Sequence, residues 1–96
     1  MDELTRLRER IDVLDEEIAT RLAQRFEVVR RVGELKRAES IPMMQTDRVT
    51  HVHEHYRRRG AEQGTPPDFT QSFVDLLLQA TCGLEDTIID APGEIR

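Results

Sequence analysis

The first 39 residues contain no proline and a single glycine, Gly33, and their apolar side chains recur at Leu4, Leu7, Ile11, Leu14 and Ile18. Steps of three and four put those residues on one stripe of an α-helix. The spacing predicts one helix from about Asp2 to about Glu39, which at ~1.5 Å per residue is roughly 55 Å long. A compact chain of 96 residues is only about 25–30 Å across by radius-of-gyration scaling. Such a rod must project out of its own subunit with an apolar stripe uncovered. Two-fold pairing is the commonest closed symmetry, so a second copy of the chain is the economical cover and a homodimer is expected.

Ser40-Ile41-Pro42 ends this helix, because proline disfavours helical geometry in the residue before it. A second helix is predicted from about Met44 to Arg59, stopping before Gly60. Thr65 can cap a third, with proline in its first turn, running from about Pro66 to Ile89 through Phe69, Phe73, Leu76, Leu77, Ala80, Leu84 and Ile88. No segment reads as a strand. The expected architecture is a single all-α domain over residues 1–96, a three-helix subunit whose last residues, 90–96, fray.

Composition excludes several classes of function. The formal net charge of −5 argues against a general nucleic-acid or acidic-membrane binder. Leu76-Leu77-Leu78 is the longest strongly apolar run, far short of the roughly 20 residues that span a bilayer. The charged start of the chain does not read as a signal peptide. A lone cysteine, Cys82, forms no internal disulfide and fits a reducing cytoplasm. The charge is unevenly spread, however. Between residues 21 and 37, Arg21, Arg25, Arg30, Arg31, Lys36 and Arg37 face only Glu27 and Glu34, which points to a small anionic ligand.

Continued by heptads, the apolar stripe runs through Arg21, Arg25, Val28, Val32 and Leu35. An arginine remains charged in proteins, and burying it unpaired is costly, so Arg25 needs an anion. That anion is either a carboxylate of the protein or a ligand. Lys36 lies eleven residues beyond Arg25, about 20° from superposition and roughly 16 Å along the axis; the two cations could grip one small dianion. Arg8, ~26 Å away along the same rod, could reach it only from an antiparallel partner helix.

Other features carry less. His51 and His55 have the i, i+4 spacing that can share a metal, but no third ligand is evident, and a solvated helix face is the simpler reading. Arg57-Arg58-Arg59 stands without interleaved aromatics. Cys82 has no histidine attached to it, and a small core residue is its default. Without a nucleophile–base pair or a phosphate loop, any chemistry would rest on positioned charge, with no metal and no cofactor.

The run Leu7-Arg8-Glu9-Arg10-Ile11-Asp12-Val13-Leu14-Asp15, then Leu22-Ala23-Gln24-Arg25, Val32-Gly33-Glu34-Leu35-Lys36, Ile41-Pro42 and Asp47-Arg48 resembles the all-helical chorismate mutases, from about residue 4 to 88. The resemblance implies an intertwined homodimer with two shared sites, and a [3,3]-sigmatropic rearrangement of a dianion held in a chair-like conformer. It further implies that Arg25 and the partner subunit's Arg8 bind the substrate carboxylates. Lys36 would contact the ether oxygen and a carboxylate, and Arg48 would shape the ring end of the pocket. Thr81 occupies the place of a hydroxyl residue on the third helix. Glu85 falls where glutamine or glutamate stands beside the ether oxygen. A carboxylate facing an oxygen that gains negative charge opposes the reaction, so Glu85 must be protonated, or reoriented by a substrate ammonium or by Lys36.

Where many members of the family have acidic residues on the second helix, this chain has Gln45 and Val49. Together with Ile41-Pro42-Met43-Met44 and Cys82-x-x-Glu85-Asp86, this resembles the branch that acts on 4-amino-4-deoxychorismate on the way to p-aminophenylalanine-derived antibiotics. The alternatives are an ordinary chorismate mutase, pyruvate elimination from isochorismate on the same scaffold, and a non-catalytic helical dimer.

Overall fold

The computed structural model describes residues 2–92. They form three α-helices and, among the described residues, no strand: α1 Glu3–Glu39, α2 Thr46–Gln63 and α3 Pro67–Ile89. The helical part of the all-α expectation is thus met. Residues 93–96 of the tail expected to fray lie outside the described residues.

α1 starts where Asp2 accepts the Thr5 backbone N–H at 2.7 Å, satisfying one of the amide groups that a helix leaves unpaired at its start. It ends at Ser40, a non-glycine residue in the left-handed region at φ 56°. This turn sends the Ile41 N–H back to the Lys36 carbonyl at 2.8 Å and folds the following loop against the last turn of α1.

Three boundaries differ from the sequence reading. α2 begins at Thr46 rather than Met44, because Gln45 is still extended at φ −115°, ψ 95°. The helix also runs through Gly60 to Gln63. Gly60 serves a close approach and not a stop: a Cβ there would lie 2.9 Å from Thr70 Oγ1 on α3. The reversal sits at Gly64, φ 77°, a conformation glycine adopts without a Cβ penalty. Finally, Thr65 does not cap α3. Its N–H closes on the Gly60 carbonyl at 2.9 Å, and Pro66 occupies the cap position with no side-chain hydrogen bond.

α3 is the middle element. It packs on α1 along one side and on α2 along the other, while α1 and α2 stand apart, with no pair of their Cα atoms within 8 Å. The small core holds Val29 from α1, Val52 from α2, and Val74 and Leu77 from α3. Gly33 lets Ile88 approach α1 closely, within 3.1 Å of where a Cβ would stand.

The heptad extension of the apolar stripe needs correction. Val28 and Leu35 are 58% and 51% exposed, whereas Val29 is buried. An α-helix of 3.6 residues per turn drifts ~20° per heptad, so a strict seven-residue count walks off the true face by the second half of a rod this long. At 100° per residue, Leu4, Leu7, Ile11, Ile18, Leu22, Arg25, Val29 and Lys36 share one face. Its second half meets α3. Its first half meets nothing among the described residues: Leu4, Leu7, Ile11, Leu14 and Ile18 are 43–55% exposed. The molecule accordingly measures 63 × 27 × 14 Å.

Two glycines give opposite predictions. Gly64→Ala should lose about 1 kcal/mol for forcing a Cβ into the left-handed region. Gly83, exposed inside α3 with open space around it, should gain up to ~1 kcal/mol as alanine. Urea unfolding midpoints of the two variants check both signs.

Candidate active site

Because α1 and α2 both lean on α3 without meeting, a gap remains between them, floored by α3. It is a cavity of about 370 Å³, within the ~300–1,000 Å³ of small-molecule sites. Val28, Val29, Val32, Val52 and Leu78 supply apolar wall, and the polar groups are Arg25, Lys36, Gln45, Arg48, Thr81, Cys82 and Glu85. Three cations thus face one carboxylate.

Lys36 is the most constrained of the cations, its side chain 13% exposed. Its Nζ donates to Glu85 Oε1 at 2.5 Å and to the Met43 backbone carbonyl at 2.6 Å. An ammonium has three donors, so one N–H is left for the cavity. Glu85 is 6% exposed and its charge is met by Lys36. A buried carboxylate is tolerated only with such a partner.

Arg25 is held differently. Nη1 donates to Thr81 Oγ1 at 2.7 Å, and the Thr81 hydroxyl donates to the Leu77 carbonyl at 2.8 Å. No described carboxylate of the chain is within ion-pair distance of Arg25. The choice left open by the sequence therefore narrows: among the described residues no carboxylate supplies the anion that Arg25 calls for. Arg48, exposed at the start of α2, lines the same cavity beside Val49. At the loop end, Gln45 donates its amide N–H groups to the Pro42 carbonyl at 2.9 Å and the Met44 carbonyl at 3.3 Å. Its Oε1 remains free to accept.

Seven of the eight residues singled out from sequence therefore line one cavity. The eighth, Arg8, does not; it is exposed on the first third of α1, ~26 Å by helix rise from Arg25. Sequence reading overlooked Met43, whose contribution is a main-chain oxygen, and treated Cys82 as simple core. Cys82 is only partly buried and sits in the cavity wall. On α2, His51 and His55 stack on its exposed face, and no three His, Cys, Asp or Glu side chains among the described residues are placed to hold a metal. No described helix is long and apolar enough to cross a membrane.

Such a site can orient and polarise a dianion. It has no paired nucleophile and base. Comparison with known proteins agrees with this chemistry. The family profile described as chorismate mutase type II matches residues 7–86. A 4-amino-4-deoxychorismate mutase of Streptomyces pristinaespiralis is 36% identical over 96% of the chain and 71% of the relative. One of the same name from Streptomyces venezuelae is 30% identical over 92% and 85%. A bifunctional chorismate mutase/prephenate dehydratase of Aquifex aeolicus is 36% identical over 65% of the chain and 17% of the relative. No solved structure matches.

The cavity's electrostatics can be read at Cys82. Burial pushes its thiol above the ordinary value, Glu85 adds to the rise, and Lys36 opposes it. Iodoacetamide should therefore alkylate Cys82 more slowly at neutral pH than an unstructured cysteine, since only the thiolate reacts. Glu85→Gln removes a raising charge, so the pH midpoint of alkylation should move down.

Proposed function

The chain belongs to the chorismate mutase type II family and is an isomerase of that kind, and we propose that the substrate it rearranges is 4-amino-4-deoxychorismate. The observation that carries the mutase reading is a cavity in which Arg25 and Arg48 have no carboxylate partner among the described residues, and the choice of the amino compound is supported by the relatives. Two relatives matched over nearly the whole chain bear that substrate in their names. Gln45, pinned through its N–H groups, offers a lone pair that can accept from an amino or a hydroxyl substituent alike.

A Claisen rearrangement breaks one C–O bond as a C–C bond forms, without proton transfer, so the protein's task is to hold a reactive conformer and stabilise charge growing on the ether oxygen. Arg25 grips one carboxylate bidentately. The third N–H of Lys36 is donated to the ether oxygen, where a preorganised cation acts most strongly. Glu85, engaged by Lys36 at 2.5 Å, serves as the anchor of that ammonium, in keeping with the alternative in which Lys36 reorients it. Arg48 and Val49 border the ring.

Arg8 completes the site from a second subunit. The same face of α1 that receives α3 in its second half presents Leu4, Leu7, Ile11, Leu14 and Ile18 uncovered in its first. An antiparallel partner rod would bury that stripe and bring Arg8 toward the other chain's cavity. We place the enzyme in the cytoplasm, where a lone free thiol is stable.

The second reading, an ordinary chorismate mutase, is favoured by the Aquifex relative, whose name includes that activity. Purified protein given each substrate decides: a higher kcat/KM for the amino compound supports the proposal, and a strong preference for chorismate overturns it. In either case Lys36→Ala should lower kcat about 10²–10³-fold, while Glu85→Gln, which keeps an acceptor for Lys36, should stay within about tenfold; circular dichroism verifies the fold.

Shared sites predict complementation. Arg8→Ala and Arg25→Ala homodimers should each be nearly inactive. Unfolded together and refolded in equal amounts, they should recover about one quarter of wild-type activity, because half of the dimers carry one intact site. Full activity of the Arg8→Ala homodimer would place Arg8 outside the site, and no recovery on mixing would rule out a site shared between subunits.

A further inference from the structure

We propose that Arg21 and Glu17 set the register in which two copies of α1 pair, an inference that rests on the two-subunit site of the functional reading above. Counting sevens from Leu4 gives Ile11, Ile18, Arg25 and Val32; counting sevens from Leu7 gives Leu14, Arg21, Val28 and Leu35. The two rows run side by side along the helix, at the spacing of the a and d positions of a coiled coil. α3 follows a different line, so Val29 is buried while Val28 and Leu35 are as exposed as Leu4 and Leu14. A seven-residue repeat held from one end of a helix to the other is the pattern that a second helix covers by supercoiling around it.

In an antiparallel pair the first row of one helix faces the second row of the other. One alignment matches every member. Leu4 meets the partner's Leu35, Leu7 the partner's Val32, Ile11 the partner's Val28, Leu14 the partner's Arg25 and Ile18 the partner's Arg21. The two-fold axis then crosses α1 midway between Ile18 and Arg21. Sliding the partner by one repeat leaves Val32 and Leu35 uncovered in one direction and sets Arg21 against the partner's Arg25 in the other. A parallel pair sets each of the two arginines against its own copy. The matched alignment also brings the partner's Arg8 level with the stretch midway between Arg25 and Lys36, on the flank of the seam that holds Val29 and Lys36. Apolar pairing and the shared site thus ask for one and the same register.

Beside the axis, Arg21 interrupts the seam. It is exposed and leans toward Gln24, donating Nη1 to Gln24 Oε1 at 3.0 Å. Gln24 belongs to the other flank, a row that reads Arg10, Glu17, Gln24 and Arg31. Two-fold symmetry puts this flank of both helices on one side of the pair, and the matched alignment sets the partner's Glu17 only ~1.5 Å of helix rise from the level of Arg21. Glu17 has no ion pair among the described residues, and it is the one acid between Arg10 and Arg31 on that row. Two symmetry-related pairs of Arg21 with the partner's Glu17 therefore close over the axis. Exposed pairs add little strength. Their effect is selection, because each competing alignment loses them and either uncovers aliphatic side chains or opposes arginines.

Charge reversal tests the pairing. Arg21→Glu homodimers gather only acids at the axis and Glu17→Arg homodimers only bases, so each should dissociate about tenfold more readily than wild type in sedimentation equilibrium. Unfolded together and refolded in equal amounts, the two variants should form about nine tenths heterodimer, where chance gives one half; native mass spectrometry resolves the three species. The heterodimer restores both cross-subunit pairs while like charges remain one turn apart within each helix, so a local helical effect cannot produce it. A statistical mixture overturns the proposal, as do single variants that dimerise like wild type. Spin labels test the register itself. Nitroxides on Glu9→Cys and, in a separate sample, on Arg30→Cys, both with Cys82→Ser, sit equally far from the proposed axis. Electron–electron distances should agree between the two samples, each with roughly 32 Å of offset along the pair; unequal distances, or short ones in both, overturn the alignment. None of these readouts needs turnover. Protein inert toward both candidate substrates defeats the substrate reading alone, and a statistical mixture defeats the Arg21–Glu17 pairing alone.

Discussion

One face of one helix bears two incompatible demands, and the rest of the molecule is arranged around that fact. In the second half of α1 the face carries Arg25, Val29 and Lys36 and is covered by α3. In the first half it carries an aliphatic stripe that none of the described residues covers. Charge enters a seam that would otherwise be continuous with grease, and the cations are tolerated because a cavity opens beside them. The gap between α1 and α2 exists because both helices lean on α3 without leaning on each other.

The two principal cations show how a protein can immobilise charge at different cost to its strength. Lys36 is tied by a carboxylate and a backbone carbonyl. Arg25 is tied by a hydroxyl whose own proton is occupied. A flexible four-carbon ammonium needs more restraint than a planar guanidinium, whose donors are already set in a rigid fork. Buried charge is compensated only as far as the fold requires, and the remainder is left to attract a ligand.

Much of this was legible in the sequence, for reasons that differ residue by residue. The long helix could be read from three-and-four spacing and from the absence of proline, both local signals. Arg25 could be singled out because it breaks an apolar pattern. Lys36 could be picked out by its eleven-residue spacing from Arg25, whereas Arg48, Thr81 and Glu85 stood out only through family resemblance. The burial of Val29 in place of Val28 was lost to helical drift, which accumulates over distance. The end of α2 was misread because Gly60 and Gly64 look identical in a sequence; one accommodates Thr70 and the other takes a left-handed turn. Main-chain contributions were the least visible. Nothing in the letters of Met43 says that its carbonyl would face an ammonium.

That carbonyl has an evolutionary corollary. An oxygen belonging to the peptide backbone is present whatever amino acid occupies position 43, so the tether on Lys36 survives replacement of the side chain there. The short loop after Ser40 can thus trade its side chains, and with them the shape and polarity presented to a substrate, while the ammonium it restrains stays put. Chemistry and selectivity sit on adjacent atoms of the same segment yet are inherited separately, and new preferences can be explored without first dismantling the catalyst.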